Sequence, residues 1–274
     1  MTDEFGLGLD LGSFSGRIHP EYHTSDFITA ISDCAALLSH PSSRILEESR
    51  NRIAVVRLSL NEGKAVDIAI KEFRTQGVDK LKSLFQASKA RRAWRGSTAL
   101  SEAGLGTPLP VAYLEKRMKS FLEQSYFLTE YIADGTEIRI LFLELSSSAL
   151  DQLLLELAHF LSQCTREGIY HRDLSDGNIL VRKSTQGQYQ FFLLDTNRIR
   201  CKNKIGSLRG IKSLIRLGIP RNHQKTFLAL YVHRSAVSRG LWLWYRMNKV
   251  GYTNYMAIKR ALGLPKIAKK LKIQ

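Results

Sequence analysis

After Asp195 the chain carries neither aspartate nor glutamate. The stretch from Thr196 to Gln274 holds 19 of the 41 lysines and arginines, which leaves 22 basic residues against all 25 acidic ones in the first 195. The formal charge of +16 on the 274 residues is therefore a property of the last third, behind a slightly acidic body. Such segregation excludes an evenly charged surface. It points to an anionic partner: nucleic acid, a membrane surface or a phosphorylated glycan.

Other absences narrow the class. Cysteine is scarce and odd in number (Cys34, Cys164, Cys201), with no CxxC pair. This argues against a disulfide framework or a zinc site and fits a reducing compartment. No uncharged apolar run reaches the ~18 residues that span a bilayer. Met1 to Asp10 holds Asp3, Glu4 and Asp10 and no cation, so no secretory signal is expected. The glycine-rich run Phe5–Gly12, with Gly16 after it, lacks a following Lys-Ser or Lys-Thr and a preceding apolar strand, so it is not read as a phosphate loop. What is present is a hydrophobic content of 44%, enough for a globular core in one large domain or two lobes.

Apolar periodicity orders the chain. Thr24 to Leu38 reads as a short amphipathic helix. Ser43–Ser49, Ile53–Leu60 and Ala65–Arg74 read as strands, the last two joined as a hairpin through Asn61-Glu62-Gly63-Lys64. Asp79 to Glu102 has helical composition and ends at Gly104 and Pro108, and Val111–Glu115 and Ser125–Ile132 are two further strands. The second half is mainly helical. Leu150, Leu153, Leu154, Leu157, Phe160 and Leu161 form one face of a helix over Ala149–Glu167. Short strands Ile179–Arg182 and Gln190–Asp195 follow, then helices over Gln224–Met247 and Tyr255–Ala261.

Three constellations carry chemistry. His171-Arg172-Asp173-Leu174-Ser175-Asp176-Gly177-Asn178 fits the H-R-D-L-x-x-x-N loop. Phosphoryl transfer to a hydroxyl needs a carboxylate at the attacking oxygen, here Asp173, and an oxygen ligand for magnesium nearby, here Asn178. Asp195 ends the strand FFLLD one short hairpin later, where a second metal ligand belongs. Within Ile68-Ala69-Ile70-Lys71, strand alternation puts Ala69, Lys71 and Phe73 on one face. The small Ala69 leaves room for a flat base, and Lys71 can reach phosphate oxygens.

These elements, in this order, resemble the protein-kinase-like fold: an α+β, bilobal architecture with a small antiparallel sheet and one main helix, then a mostly helical lobe. The stretches SKARRAWRGSTALSEAGLGTPLPVAYLEKR, SYFLTEYI, HRDLSDGNILV and FFLLDTNR look like the lipopolysaccharide kinase (Kdo/WaaP) family over roughly residues 43–217. Asp195-Thr196-Asn197-Arg198 has the family's Asp-x-x-Arg character in place of Asp-Phe-Gly, and no Ala-Pro-Glu element follows. Both features depart from Ser/Thr protein kinases.

The resemblance implies ATP and Mg2+ as cofactors and phosphate transfer to a Kdo or heptose hydroxyl of the lipopolysaccharide inner core. It makes Asp173 the catalytic base and Asn178 and Asp195 the metal ligands. Lys71 and Ala69 line the ATP site, with Glu130-Tyr131-Ile132 as the hinge against adenine. Ser175 stands where protein kinases usually carry a lysine, as in many sugar-directed relatives. No GxGxxG lies between Ser43 and Ile53. Relatives often have Arg-Glu-Trp where this chain has Arg92-Ala93-Trp94, so the carboxylate expected to pair with Lys71 is missing there and Glu102 is the next in the helix. A kinase-fold binding protein without turnover and an atypical protein kinase stay open as alternatives.

The expected organisation is an extension over 1–40, an N-terminal lobe over 41–132 and a C-terminal lobe over 133–274 with a basic tail. The cationic third becomes a docking surface for an anionic glycolipid. Leu241–Arg246 reads either as a membrane-interface segment or as helix packing, and the Lys-rich Lys266–Ile273 either as a membrane-interface tail or as a solvated terminus. The expected location is cytoplasmic, peripheral at the inner face of the inner membrane. No nucleic-acid-binding motif accompanies the charge.

Overall fold

The structure, a computed structural model, describes residues 5–49, 51–61, 63–74 and 83–262. The chain forms two compact units. Among the described residues, one takes those up to Thr98 together with Pro108–Ile132; the other takes Ala99–Thr107 and those from Ala133 on.

The first unit is built on a seven-stranded antiparallel sheet. Its strands are β1 (Leu7–Asp10), β2 (Ser15–Ile18), β3 (Arg44–Glu48), β4 (Arg52–Asn61), β5 (Lys64–Glu72), β6 (Pro110–Met118) and β7 (Phe121–Glu130), in the order β1-β2-β6-β7-β5-β4-β3. The β4–β5 hairpin pairs as its alternation predicts, with Ala54 opposite Ile70 and Val56 opposite Ile68, and Gly63 takes the positive φ its turn needs. The glycine-rich N-terminus is a hairpin, β1–β2. Gly16 lies so close to the backbone of Tyr113 that a β-carbon there would collide with it.

The pleat sorts the core onto two faces. On one, Ile68, Ile70, Leu114, Tyr126 and Leu128 are buried with Phe27 and Ile31 of α1 (Ser25–Ile31) and Leu38 of α2 (Cys34–Ser39). The single helix expected over Thr24–Leu38 is thus two. Each starts at its own side-chain cap: Thr24 accepts from the Phe27 N–H and Asp33 from the Ala36 N–H, and the second cap ends the first helix. On the other face, Phe73, Tyr113 and Phe127 meet Ala90, Ala93 and Trp94 of α3 (Lys89–Glu102). This helix was expected from Asp79. Residues 79–82 lie outside the described residues, 83–88 are not helical, and Ser88 caps the start through the Arg91 N–H at 2.9 Å.

The second unit centres on α5 (Ser147–Arg166), which follows β8 (Thr136–Glu137) and α4 (Ile138–Glu144). Leu150, Leu153, Leu154, Leu157 and Leu161 face the core, as their spacing requires. Short strands follow: β9 (Ile169–His171), β10 (Ile179–Lys183), β11 (Tyr189–Leu193) and β12 (Ile199–Cys201). Sheets β11-β10-β8 and β12-β9 hold the loops that matter below. Then come α6 (Ser207–Ser213), α7 (Gln224–Tyr231) and α8 (Arg239–Ala261).

The helix expected over Gln224–Met247 is broken after Tyr231. His233 adopts φ 54°, the Arg234 N–H reaches the Ala229 carbonyl and the His233 N–H the Leu230 carbonyl, a Schellman ending with histidine where glycine is usual. Conversely α8 runs unbroken through Gly251 to Ala261. Leu241, Trp242, Trp244 and Tyr252 pack half-buried on the core, which makes the aromatic segment a packing element. Residues 263–274, the Lys-rich tail among them, lie outside the described residues. No helix of the described residues is long and apolar enough to cross a membrane.

Candidate active site

The H-R-D loop leaves β9, whose His171 pairs with Ile199 of β12. His171 is buried, and its two ring nitrogens have different partners. Nδ1 accepts the Asp173 N–H at 3.1 Å, and Nε2 donates to the carbonyls of Leu194 (3.0 Å) and Asp195 (3.2 Å). A backbone N–H on Nδ1 requires that nitrogen to be bare, so the ring is the neutral Nε2–H tautomer. Burial pushes its pKa below the ordinary 6.5. One histidine therefore clasps the H-R-D loop to the turn that carries Asp195.

The sign of the linkage follows. A folded-state pKa below the unfolded value adds stability at pH above about 6.5 that is lost as pH falls and the ring must charge on unfolding. Imidazole 15N resonances should report neutral Nε2–H at about pH 6, with denaturation midpoints falling below that pH. A charged ring there would contradict the clasp.

Asn178 closes the loop from the other side. Its Nδ2 donates to the Asp173 carbonyl (2.9 Å), and its own carbonyl accepts the Leu194 N–H (2.9 Å). That bond fixes the orientation of the Asn178 side-chain amide. Asp195 sits in the left-handed region at φ 51°, and its carbonyl also accepts the Arg198 N–H, closing the Asp195–Arg198 turn. Strand ends of β9, β10 and β11 thus bring Asp173, Asn178 and Asp195 to one loop cluster within the second unit.

Three further residues join this cluster. The Asp173 carboxylate is ion-paired with the guanidinium of Arg216, from the short turn Leu214–Arg216. Asp176 accepts the Gly218 N–H at 2.6 Å, and burial raises its pKa. Lys249 of α8 donates to the carbonyls of Ile215 (3.1 Å) and Leu217 (2.6 Å), and burial lowers its pKa. Sequence spacing cannot reveal such partners, because 214–218 reaches the loop only through the tertiary fold.

In the first unit, Lys71 lies half-buried on β5 opposite Phe127 of β7, its ammonium 5.1 Å from the Phe73 ring. Ala69 is two residues before it on the same face, opposite Thr129. Glu130 ends β7 opposite Ile68 and takes a hydrogen bond from the Tyr22 hydroxyl, and Ile132, two residues on, is half-buried. Among the α3 residues presented to this face is Ala93, buried with Phe73, Tyr113 and Phe127. Glu115, next to Tyr113 along β6, is buried on the same side and accepts from Arg117 at 3.1 Å. Glu102 is exposed at the last turn of α3.

Residues 61–227 match the lipopolysaccharide kinase (Kdo/WaaP) family. That is more than half of the chain. The chain belongs to the lipopolysaccharide kinase (Kdo/WaaP) family. Among solved structures, WaaP in complex with acyl carrier protein shares the fold at a TM-score of 0.57 and 19% identity, over 80% of this chain and 92% of that one. No curated protein matches by sequence. The kinase-like α+β fold expected from the motifs is thereby established.

The donor set of this Kdo/WaaP family member suits Mg2+. Among the described residues no group of three or more His, Cys, Asp or Glu ligands occurs. Asn178 and Asp195 offer hard oxygens, and magnesium typically takes one or two protein oxygens together with substrate phosphates. The oriented Asn178 amide fits that role.

Proposed function

We propose that the chain transfers the γ-phosphate of ATP to a hydroxyl of a Kdo or heptose sugar in the lipopolysaccharide inner core. The observation that carries this reading is the clasp of His171, which ties Asp173 to the Asp195 turn, with Asn178 bonded to the same loop. Bound Mg-ATP supplies an activated phosphoryl group with part of its charge neutralised. Asp173 orients the sugar hydroxyl and accepts its proton, while Asn178 and Asp195 hold the metal. Lys71 binds phosphate oxygens, Ala69 admits the base, and Glu130 to Ile132 form the hinge.

The acceptor is an anionic glycolipid, and the basic third is the surface that receives it. Support comes from α8. Leu243, Met247, Val250 and Ile258 are exposed along it, on a helix that also carries Arg239, Arg246 and Lys259. An apolar stripe bordered by cations suits an anionic lipid surface, consistent with peripheral attachment at the cytoplasmic face of the inner membrane.

A second reading, a kinase-fold binding protein without turnover, rests on the sequence: Ala93 stands where relatives often carry a glutamate. One experiment separates them. Purified protein with labelled ATP, magnesium and lipid A-core should transfer label, and mass spectrometry should locate the new phosphate on one core sugar. Nucleotide binding without transfer would establish the second reading.

A further inference from the structure

We propose that Arg216 binds the transferring phosphoryl group, supplying from the basic third the cation that the loop lacks at Ser175. The proposal rests on the kinase reading above and goes beyond it, because nothing in the H-R-D motif points to residue 216.

The first observation is the pairing itself. Arg216 meets the carboxylate of Asp173, the group that receives the acceptor hydroxyl. A guanidinium touching that carboxylate lies beside the position the γ-phosphoryl must occupy, since the attacking oxygen stands between the two.

The second is how Arg216 is held. Its neighbours Leu214, Ile215, Leu217 and Ile219 are buried, so the backbone at 216 is fixed by packing on both sides. Three further contacts brace it. Asp176, two residues before Asn178, accepts the Gly218 N–H; a β-carbon at Gly218 would run into that carboxylate. Lys249 caps the Ile215 and Leu217 carbonyls, and the Tyr252 ring lies 5.4 Å from the Arg216 guanidinium. Catalytic loop and Arg216 turn are thus tied to each other and to α8.

Magnitude excludes stability as the reason. The side chains of Arg216 and Asp173 are 38% and 27% exposed, and a pair so open to water adds at most about 1 kcal/mol. Asp176 and Lys249, both half-buried, are committed around an ion pair worth that little. They make sense if they hold a cation where charge develops during transfer.

The step balances. The sugar oxygen bonds to the γ-phosphorus while the bond to the β–γ bridging oxygen breaks, and its electron pair leaves with ADP. The hydroxyl proton passes to Asp173. As that carboxylate is neutralised, Arg216 transfers its hydrogen bonds to the phosphoryl oxygens, so the cation follows the negative charge.

The test compares wild type with Arg216→Gln and Arg216→Lys in labelled transfer to lipid A-core, and measures affinity for ADP with and without aluminium fluoride as a mimic of the moving phosphoryl. Arg216→Gln should lower kcat roughly 10²-fold, with the KM for ATP little changed, and Arg216→Lys should recover part of it. Aluminium fluoride should tighten ADP binding to wild type but not to Arg216→Gln, while melting temperatures stay together. An unchanged or raised kcat in Arg216→Gln, or equal tightening in both, would overturn the proposal alone. Wild type that binds ADP yet transfers nothing overturns the kinase reading beneath it.

Discussion

Asp173→Asn should lower turnover roughly 10³-fold, in the range found when a positioned general base is removed. The substitution is chosen for what it preserves. The contacts that shape the loop use the Asp173 backbone: its N–H on His171 and its carbonyl on the Asn178 amide. An asparagine keeps both and keeps the volume. Only the carboxylate charge is lost, and with it the proton acceptor that the proposed transfer requires. The partner Arg216 is left with water, which costs little at its exposure. Stability should therefore stay within about 1 kcal/mol of wild type, measured by urea denaturation. Initial rates of label transfer to lipid A-core give the catalytic effect. A variant as active as wild type would remove Asp173 from the chemistry. A variant that is inactive because it is unfolded would show it in the denaturation curve.

Local chemistry was legible in the sequence; its tertiary partners were not. The alternation of Ile68 and Ile70 against Lys71 and Phe73 survives intact, because each face of β5 is buried against a different helix layer and a shift of one residue would exchange the two. The leucine face of α5 was equally readable, since it depends on helical period alone. The strands β1 and β2 were missed. They are four residues each and rich in glycine, and β2 exists because Gly16 lets it lie against β6. The end of α7 was missed because a histidine, not a glycine, takes the left-handed position. The gap expected between Met247 and Tyr255 is helical in α8, where Lys249 and Tyr252 anchor the segment to the Arg216 turn. Arg216 itself was counted only as one charge in a basic third. Its neighbour in space, Asp173, stands on the acidic side of the charge boundary, and no spacing rule joins the two.

The largest effect on stability is expected from Trp94→Ala, at about 3–5 kcal/mol. Trp94 is 2% exposed and is the bulky residue that α3 sets against the sheet, beside the small Ala90 and Ala93. Its ring lies 5.8 Å from those of Phe5 and Tyr113, and Gly6 approaches it so closely that a β-carbon there would touch it. Alanine at 94 would leave a hole bounded by the sheet, the helix and the N-terminal strand entry, and none of these can collapse into it without breaking ladder bonds. For a fold whose total stability is of the order of 5–15 kcal/mol, that loss is large. The control is Phe85→Ala: this phenylalanine is 87% exposed, and its removal should change stability by less than about 0.5 kcal/mol. Urea midpoints of the three proteins give the comparison. The position also bears on function, because the face that Trp94 covers is the one that carries Lys71. Where α3 loosens, the wall beside that lysine loosens with it. ATP affinity should therefore fall in Trp94→Ala at urea concentrations well below its unfolding midpoint, and not in Phe85→Ala. A destabilisation under about 1 kcal/mol would mean that α3 is held to the sheet by something other than this ring.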